Sequence, residues 1–210
     1  MLAEWSVECA PDDPVLVVPW SSDVSGPSDV AHSQGTATPS HFIDLRENPY
    51  DLDHLPEAEH FPPLMHALRA LNAPRSPVFT AKCDAWTLEP EELETLRIDL
   101  DQDFGPADPT LAGFASYIDI LLRERSFFAS FHQNEQFLHR LARRAAPLDH
   151  PHAMLDCVIR PALVDLTGPQ EGFSITLYIK ALGPDATTAY EHWTGALDAI
   201  VALLRSKDLM

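Results

Sequence analysis

The chain is poor in glycine and cysteine, and each scarcity removes a class of protein from consideration. Its eight glycines are too scattered to form a G-x-G-x-x-G loop, a Walker A loop or a G-x-S-x-G elbow, and H-E-x-x-H is also missing. These gaps take away the usual support for nucleotide binding and for the standard hydrolases. Three cysteines without C-x-x-C spacing indicate neither a disulfide framework nor a zinc knuckle.

Long apolar runs are missing as well. None approaches the roughly 18 residues that cross a bilayer, and the first residues lack the basic stretch and apolar core of a secretion signal. We therefore expect a cytoplasmic protein without a membrane partner. Arginine outnumbers lysine by 11 to 3, a bias that suggests a GC-rich bacterial genome.

Basic residues are scarce, and the excess of acidic residues is uneven. Residues 1–108 hold 21 acidic against 5 basic residues, whereas residues 109–210 hold 11 against 9. Because nucleic-acid affinity rests largely on Lys and Arg, we expect no nucleic-acid partner. The acidic N-terminal half instead favours a protein partner with a basic surface.

The hydrophobic pattern predicts one α+β domain over residues 1–210. We expect a two-layer sandwich in which helices cover one face of a mainly antiparallel sheet of about four or five strands. Residues 21–40 have the composition of a flexible loop. Residues 152–206 predict a β-hairpin followed by a C-terminal helix that Asp185 caps.

Three further segments have a clear periodicity. Leu64, Leu68 and Leu71 have the spacing of a helix that begins at two prolines. Residues 78–86 alternate as a strand, with Phe79 on the same face as Cys83 and Ala85. Residues 109–146 have helical spacing, which predicts one or two helices divided near Ser126.

Two groups of residues could bind a divalent metal. His132, Glu135 and His139 share one face of a predicted helix, and His150 and His152 flank a proline before the hairpin. Exposed polar surface is the competing interpretation of both groups. Asp99, Asp101 and Asp103 alternate like the start of a calcium loop, but Phe104 stands at the glycine position and Thr110 at the position of the last ligand.

The sequence leaves the catalytic residues unknown and predicts no cofactor beyond that possible metal. The leading hypothesis is a noncatalytic binding or interaction domain, either a homo-oligomer or the partner of a basic protein. One alternative is a metal-assisted hydrolase that uses the histidines. Another is a small-molecule-binding domain closed by residues 21–40.

The C-terminal block generates a first prediction. Trp193, Leu197 and Ile200 are expected to cover one hairpin face, so Leu197→Ala should lower the free energy of unfolding by about 2–5 kcal/mol. Thr176 is expected on a solvated opposite face, where Thr176→Ala should cost less than about 0.5 kcal/mol. Chemical denaturation measures both losses. Equal losses would mean that both faces of the sheet are covered.

Overall fold

The hairpin that the sequence predicts is the centre of the structure. In the computed structural model, β5 (Ala153–Asp165) and β6 (Pro169–Gly183) pair in antiparallel register. The described residues are 1–18, 45, 52, 55, 59–101, 111–165, 168–206 and 209. The loop predicted over residues 21–40 lies outside them.

The strand on the other side of β6 corrects the helix predicted from residue 109. β4 (Ala112–Leu122) is a strand and pairs antiparallel with β6. Almost all its side chains are buried on both faces. A strand buried on both faces has a nearly continuous apolar sequence, so its pattern cannot be distinguished from that of a buried helix.

β3 (Val78–Thr87) pairs antiparallel with β4 and forms one edge of the sheet. Its register shifts between Thr80 and Lys82. This bulge reverses the faces of the residues before it. Phe79 therefore packs beside Leu121 on the face opposite Cys83 and Ala85, which corrects the simple alternation expected from the sequence.

The opposite edge is formed by the start of the chain. β1 (Leu2–Val7) and β2 (Leu16–Val18) each pair in parallel with β5, so the strand order is β1-β5-β6-β4-β3, with β2 beside β5. The sheet of the described residues is therefore mixed and has six strands, which corrects the mainly antiparallel sheet of four or five.

Three helices cover one face of the sheet. They are α1 (Pro62–Leu71), α4 (Phe131–Ala145) and α5 (Ala186–Leu204). The route from β4 through α4 to β5, with β6 inserted between the two parallel strands, is a split β-α-β unit. The Asp185 carboxylate accepts a hydrogen bond from the Thr188 N–H, so the predicted cap of α5 is confirmed.

The apolar stripe of α5 fills the core against the hairpin. Trp193 and Leu197 are fully buried in one cluster with Leu155, Cys157 and Leu177 of the sheet. The Trp193 indole N–H donates to the Ser116 hydroxyl at 2.9 Å, so the polar atom of this ring has a partner inside the core. This packing is the arrangement expected for the C-terminal block.

Two further helices lie on the opposite face, which we call the open face. Leu96 of α2 (Pro90–Asp99) packs against Ala115 and Leu182 at one end of it. Phe128 of α3 (Arg125–Phe128) lies over Gly172 at the other end, where an added Cβ would come within 2.5 Å of the ring. Helices therefore contact both faces of the sheet, which corrects the expectation that they lie on one face.

The helix boundaries near residue 129 differ from the prediction at Ser126. The break lies at Ala129 and Ser130, and the Ser130 hydroxyl accepts from the Gln133 N–H to cap α4. Among the described residues no helix is both long and apolar enough to cross a membrane.

Candidate functional site

The open face carries a polar strip between the apolar clusters under α2 and α3. The sheet register aligns its side chains in cross-strand rows. One row, from β3 to β1, is Asp84, Tyr117, Tyr178, Asp156 and Glu4. The next contains Lys82, Asp119 and Thr176. The strip therefore brings together residues as far apart in the chain as Glu4 and Tyr178, which are 174 positions apart.

A hydrogen-bonded chain lies inside this strip. Thr176 donates its hydroxyl to Asp119 Oδ1 at 2.5 Å and accepts from Arg160 Nη1 at 2.8 Å. Arg160 Nε donates to Glu8 Oε2 at 2.7 Å. Thr176 is only 1% exposed, so the expectation that it lies on a solvated face is wrong. Neighbouring side chains of the strip cover Thr176, and its hydroxyl links Asp119 to Arg160.

Burial shifts the acidities of this strip. Burial raises the pKa of Asp119 above its usual value, although the Thr176 hydrogen bond and the cations Arg160 and Lys82 oppose the shift. Burial and the nearby carboxylates, chiefly Asp119, raise the pKa of Tyr117 to about 12. The Tyr117 phenol is therefore a neutral hydrogen-bonding group at physiological pH.

Aromatic rings cross the strip from β3 to β6. Tyr117 lies between Trp86 and Tyr178, with ring centroids 6.3 Å and 6.2 Å away. The Arg160 guanidinium and the Lys180 ammonium lie 5.9 Å and 5.8 Å from the Tyr178 ring centroid. Trp, Tyr and Arg are the residues that most often dominate binding energy at protein interfaces.

Next to the strip, α2 and the residues that flank it present a cluster of carboxylates that we call the acidic surface. It consists of Glu89, Glu91, Glu92, Glu94, Asp99 and Asp101, all exposed. Arg97, the basic residue of this segment, pairs with Glu94 at 2.7 Å. The cluster is therefore strongly negative, with a formal charge of −5 over residues 89–101.

The local sequence explains why these carboxylates are held on one element. Pro90 begins α2, and Glu89 and Glu92 form a reciprocal capping box, in which Glu92 Oε2 accepts from the Glu89 N–H at 3.0 Å. Leu96 anchors the helix to the sheet. Ile98 remains 64% exposed among the carboxylates, which adds an apolar contact point to the acidic surface.

The acidic surface and the strip are electrostatically connected through Asp156. Burial raises the pKa of Asp156, and the carboxylates of Glu8 and Asp99 raise it further, while Lys180 and Arg160 oppose them. The end of α2 is thus close enough to act on a side chain in the middle of the open face.

The first predicted metal group lies on the helix side of the molecule. His132 Nδ1 is 3.7 Å from Glu135 Oε2, and both side chains are largely solvent-accessible. Glu135 and His139 line a cavity of about 370 Å³ together with Trp5, Gln136 and Arg140. His132, Glu135 and His139 therefore lie on one face of α4, as their spacing predicts.

In the second predicted metal group, a third histidine, His192, lies beside His150 and His152. His152 and His192 stack with ring centroids 4.9 Å apart, and with His150 and Asp149 they line a cavity of about 310 Å³. The backbone carbonyl of Leu182 lies 2.7 Å from His192 Nδ1 and can only accept, so this nitrogen carries the proton. Burial and the neighbouring His192 lower the pKa of His152.

Within the described ranges, no three His, Cys, Asp or Glu side chains come close enough together to hold a metal ion. Both metal groups stay predictions. Asp103 of the calcium-like segment lies outside the described residues, while Asp99 and Asp101 belong to the acidic surface. The Cys157 thiol is fully buried, and burial raises its pKa.

Sequence reasoning missed the residues that the strip brings together. Asp119 lies in the segment 109–146, whose spacing predicts a helix, and Arg160 lies in the segment predicted as a hairpin, where nothing marks it as part of a site. The one available signal was a charged residue in an otherwise apolar run, as at Asp119. His192 was missed because it lies on the polar side of a core helix.

Scans against models of protein families, against curated proteins and against solved structures find no match to this chain.

The bridging hydroxyl generates a second prediction. Thr176→Val keeps the side-chain shape but leaves Asp119 and Arg160 without their shared partner. We expect the free energy of unfolding to fall by about 1–3 kcal/mol, the usual cost of an unmade buried hydrogen bond. Denaturant titration measures the loss. Thr87→Val, at an exposed position of β3, is the control and should change stability by less than about 0.5 kcal/mol. Equal effects of both substitutions would contradict the bridging role.

Asp119 generates a third prediction, on pH dependence. Its pKa is raised in the folded protein above the ordinary value of 3.8, so the folded state binds more protons than the unfolded state above that pH. Asp119 therefore contributes a loss of stability as the pH rises from 3.8 through the folded pKa. Asp119→Asn removes this titration while keeping an acceptor for Thr176.

As the pH rises, the Asp119→Asn variant should thus gain in unfolding free energy relative to the natural protein. Urea titrations across this pH range measure that difference. Asp198→Asn, on an exposed position of α5, is the matched control for the loss of one carboxylate. A difference for Asp119→Asn that is constant with pH, or that shifts against the variant, would contradict the prediction.

Proposed function

We propose that this protein is a noncatalytic binding domain whose acidic surface docks a protein partner with a basic surface. The observation that carries the proposal is the concentration of six exposed carboxylates within residues 89–101, four on α2 and two beside its ends, on the open face. Complementary charge of this kind accelerates encounter and sets the orientation of the partner.

The neighbouring strip supports the same proposal. Charges alone contribute little affinity at an exposed surface, so a specific interface also needs apolar and aromatic contacts. Ile98 and the half-buried Trp86 supply them at the border of the acidic surface. The strip adds Tyr117 and Tyr178, whose positions the sheet register holds rigid.

The buried polar groups of the strip favour binding over catalysis. Thr176 bonds to both Asp119 and Arg160, and Arg160 bonds in turn to Glu8. A chain of this kind rigidifies the face, and a rigid face loses less entropy when a partner binds. We therefore assign these residues to the support of the docking surface.

Position-specific neutralisation of charge tests the proposal. The test variant combines Glu91→Gln, Asp99→Asn and Asp101→Asn on the acidic surface. The control combines Asp12→Asn, Glu191→Gln and Asp198→Asn, all exposed residues outside α2. The two variants have the same net charge, so any difference between them reports the position of the carboxylates.

Binding is measured by calorimetry with polylysine of defined length as the basic probe, at low and at moderate salt. We expect the test variant to bind at least about tenfold more weakly than the control, a difference of about 1.4 kcal/mol, with a smaller dependence on salt. When the proteins are crosslinked in the native host, a salt-sensitive partner should be recovered with the control variant and not with the test variant. Equal binding by both variants would overturn the proposal.

The alternative function is a metal-assisted hydrolase. The convergence of His150, His152 and His192 on one cavity is the observation that favours it. Three imidazoles could supply both metal ligands and a general base. Elemental analysis of protein purified without an affinity tag separates this alternative from the binding domain.

A further inference from the structure

The strand β1 has an exposed backbone edge. Its inner side pairs with β5, and within the described part of the chain no strand lies on its outer side. The Glu8 N–H donates to the Ile159 carbonyl at 2.9 Å. Because successive residues of a strand in a parallel pair point their backbone groups to alternate sides, those of Ala3, Trp5 and Val7 point outward.

The two edges of the sheet differ in how they are protected. β3 carries a bulge between Thr80 and Lys82 and the exposed Lys82 side chain, two devices that discourage pairing with another strand. β1 has the sequence Leu-Ala-Glu-Trp-Ser-Val, without proline, basic residue or shift of register. Val7 on this edge is 40% exposed. As far as the described residues go, this edge is open to strand addition.

Two copies of β1 can pair antiparallel about a two-fold axis in few registers, because directly opposite residues must share a face. A register centred on Glu4 places this carboxylate opposite itself. A register centred on Ser6 places Glu4 opposite the partner's Glu8. Like charges directly opposite each other destabilise a sheet.

The register centred on Trp5 has no such conflict. It places Ala3 opposite the partner's Val7, Glu4 opposite the partner's Ser6 and Trp5 opposite the partner's Trp5. Apolar side chains then meet on the helix-covered face and polar side chains on the open face. All three outward-pointing residues meet outward-pointing residues, so each pair can exchange both backbone hydrogen bonds.

A cavity beside this edge matches the same register. It has a volume of about 370 Å³ and is lined by Trp5 of β1 and by Glu135, Gln136, His139 and Arg140 of α4. The partner's Trp5 would come opposite Trp5 on the same face, next to the cavity. The partner's indole is large and mainly apolar, so it could occupy this cavity and pack against Trp5.

We propose that a second copy of this chain docks on β1, centred on Trp5, and continues the sheet across a two-fold axis. This surface is separate from the acidic surface, so the dimer does not depend on the proposed function. Because β1 is complementary to itself in this register, we infer that the partner on this edge is a second copy rather than a strand of another protein. The dimer places the Glu135 and His139 faces of two α4 helices on either side of the axis.

The oligomeric state of the full chain tests the proposal. Sedimentation equilibrium over a concentration series should show a mass twice that of the chain. Val7→Lys places a charge on the edge in both copies and should raise the dimer dissociation constant by at least about tenfold. Thr87→Lys, at an exposed position of the other edge strand, is the control and should leave the dimer intact. Circular dichroism checks that each variant folds.

Disulfide crosslinking tests the register without the Val7→Lys substitution. In a Cys9→Ser background, which removes the exposed thiol, Ala3→Cys protein mixed with Val7→Cys protein should form a disulfide-linked pair on oxidation. Ala3→Cys protein alone should form much less. A monomer at every concentration overturns the proposal, as does a dimer that Val7→Lys leaves unchanged or crosslinks that appear equally in the single-variant sample.

Discussion

The pairing of β6 with β5 on one side and β4 on the other is the constraint on which the rest of the structure depends. It brings Tyr178 beside Tyr117 and Asp156, and Thr176 beside Asp119. The same pairing presents an apolar face that Trp193 and Leu197 of α5 cover. A one-residue change of register would exchange the two faces, so core and strip are determined together.

The open face combines a buried polar interior with a charged border. Asp119 is destabilising as a buried charge; the Thr176 hydroxyl reduces that cost by donating a hydrogen bond to it, and Arg160 reduces it by its positive charge. Such a chain makes the face rigid because each hydrogen bond holds the next side chain in place. The exposed carboxylates of Glu91, Asp99 and Asp101, in contrast, border the strip on the acidic surface.

The two proposed interfaces use different physical chemistry. The acidic surface attracts by charge and gains specificity from Ile98 and Trp86, so salt weakens it. The β1 edge binds through backbone hydrogen bonds and apolar contact around Trp5, which salt affects less. Because β1 lies at the opposite edge of the sheet from β3, a dimer would carry two separate acidic surfaces.

The sequence by itself determined the elements whose apolar residues follow one period. These are the hairpin, the α5 stripe with its Asp185 cap, and the α1 stripe of Leu64, Leu68 and Leu71. It also determined the negative charge of residues 89–101. Only the tertiary structure decided that β4 is a strand, because burial on both faces erases the period. It alone joined Glu8 to Arg160 and His152 to His192, because contacts between distant segments leave no local pattern in a single sequence.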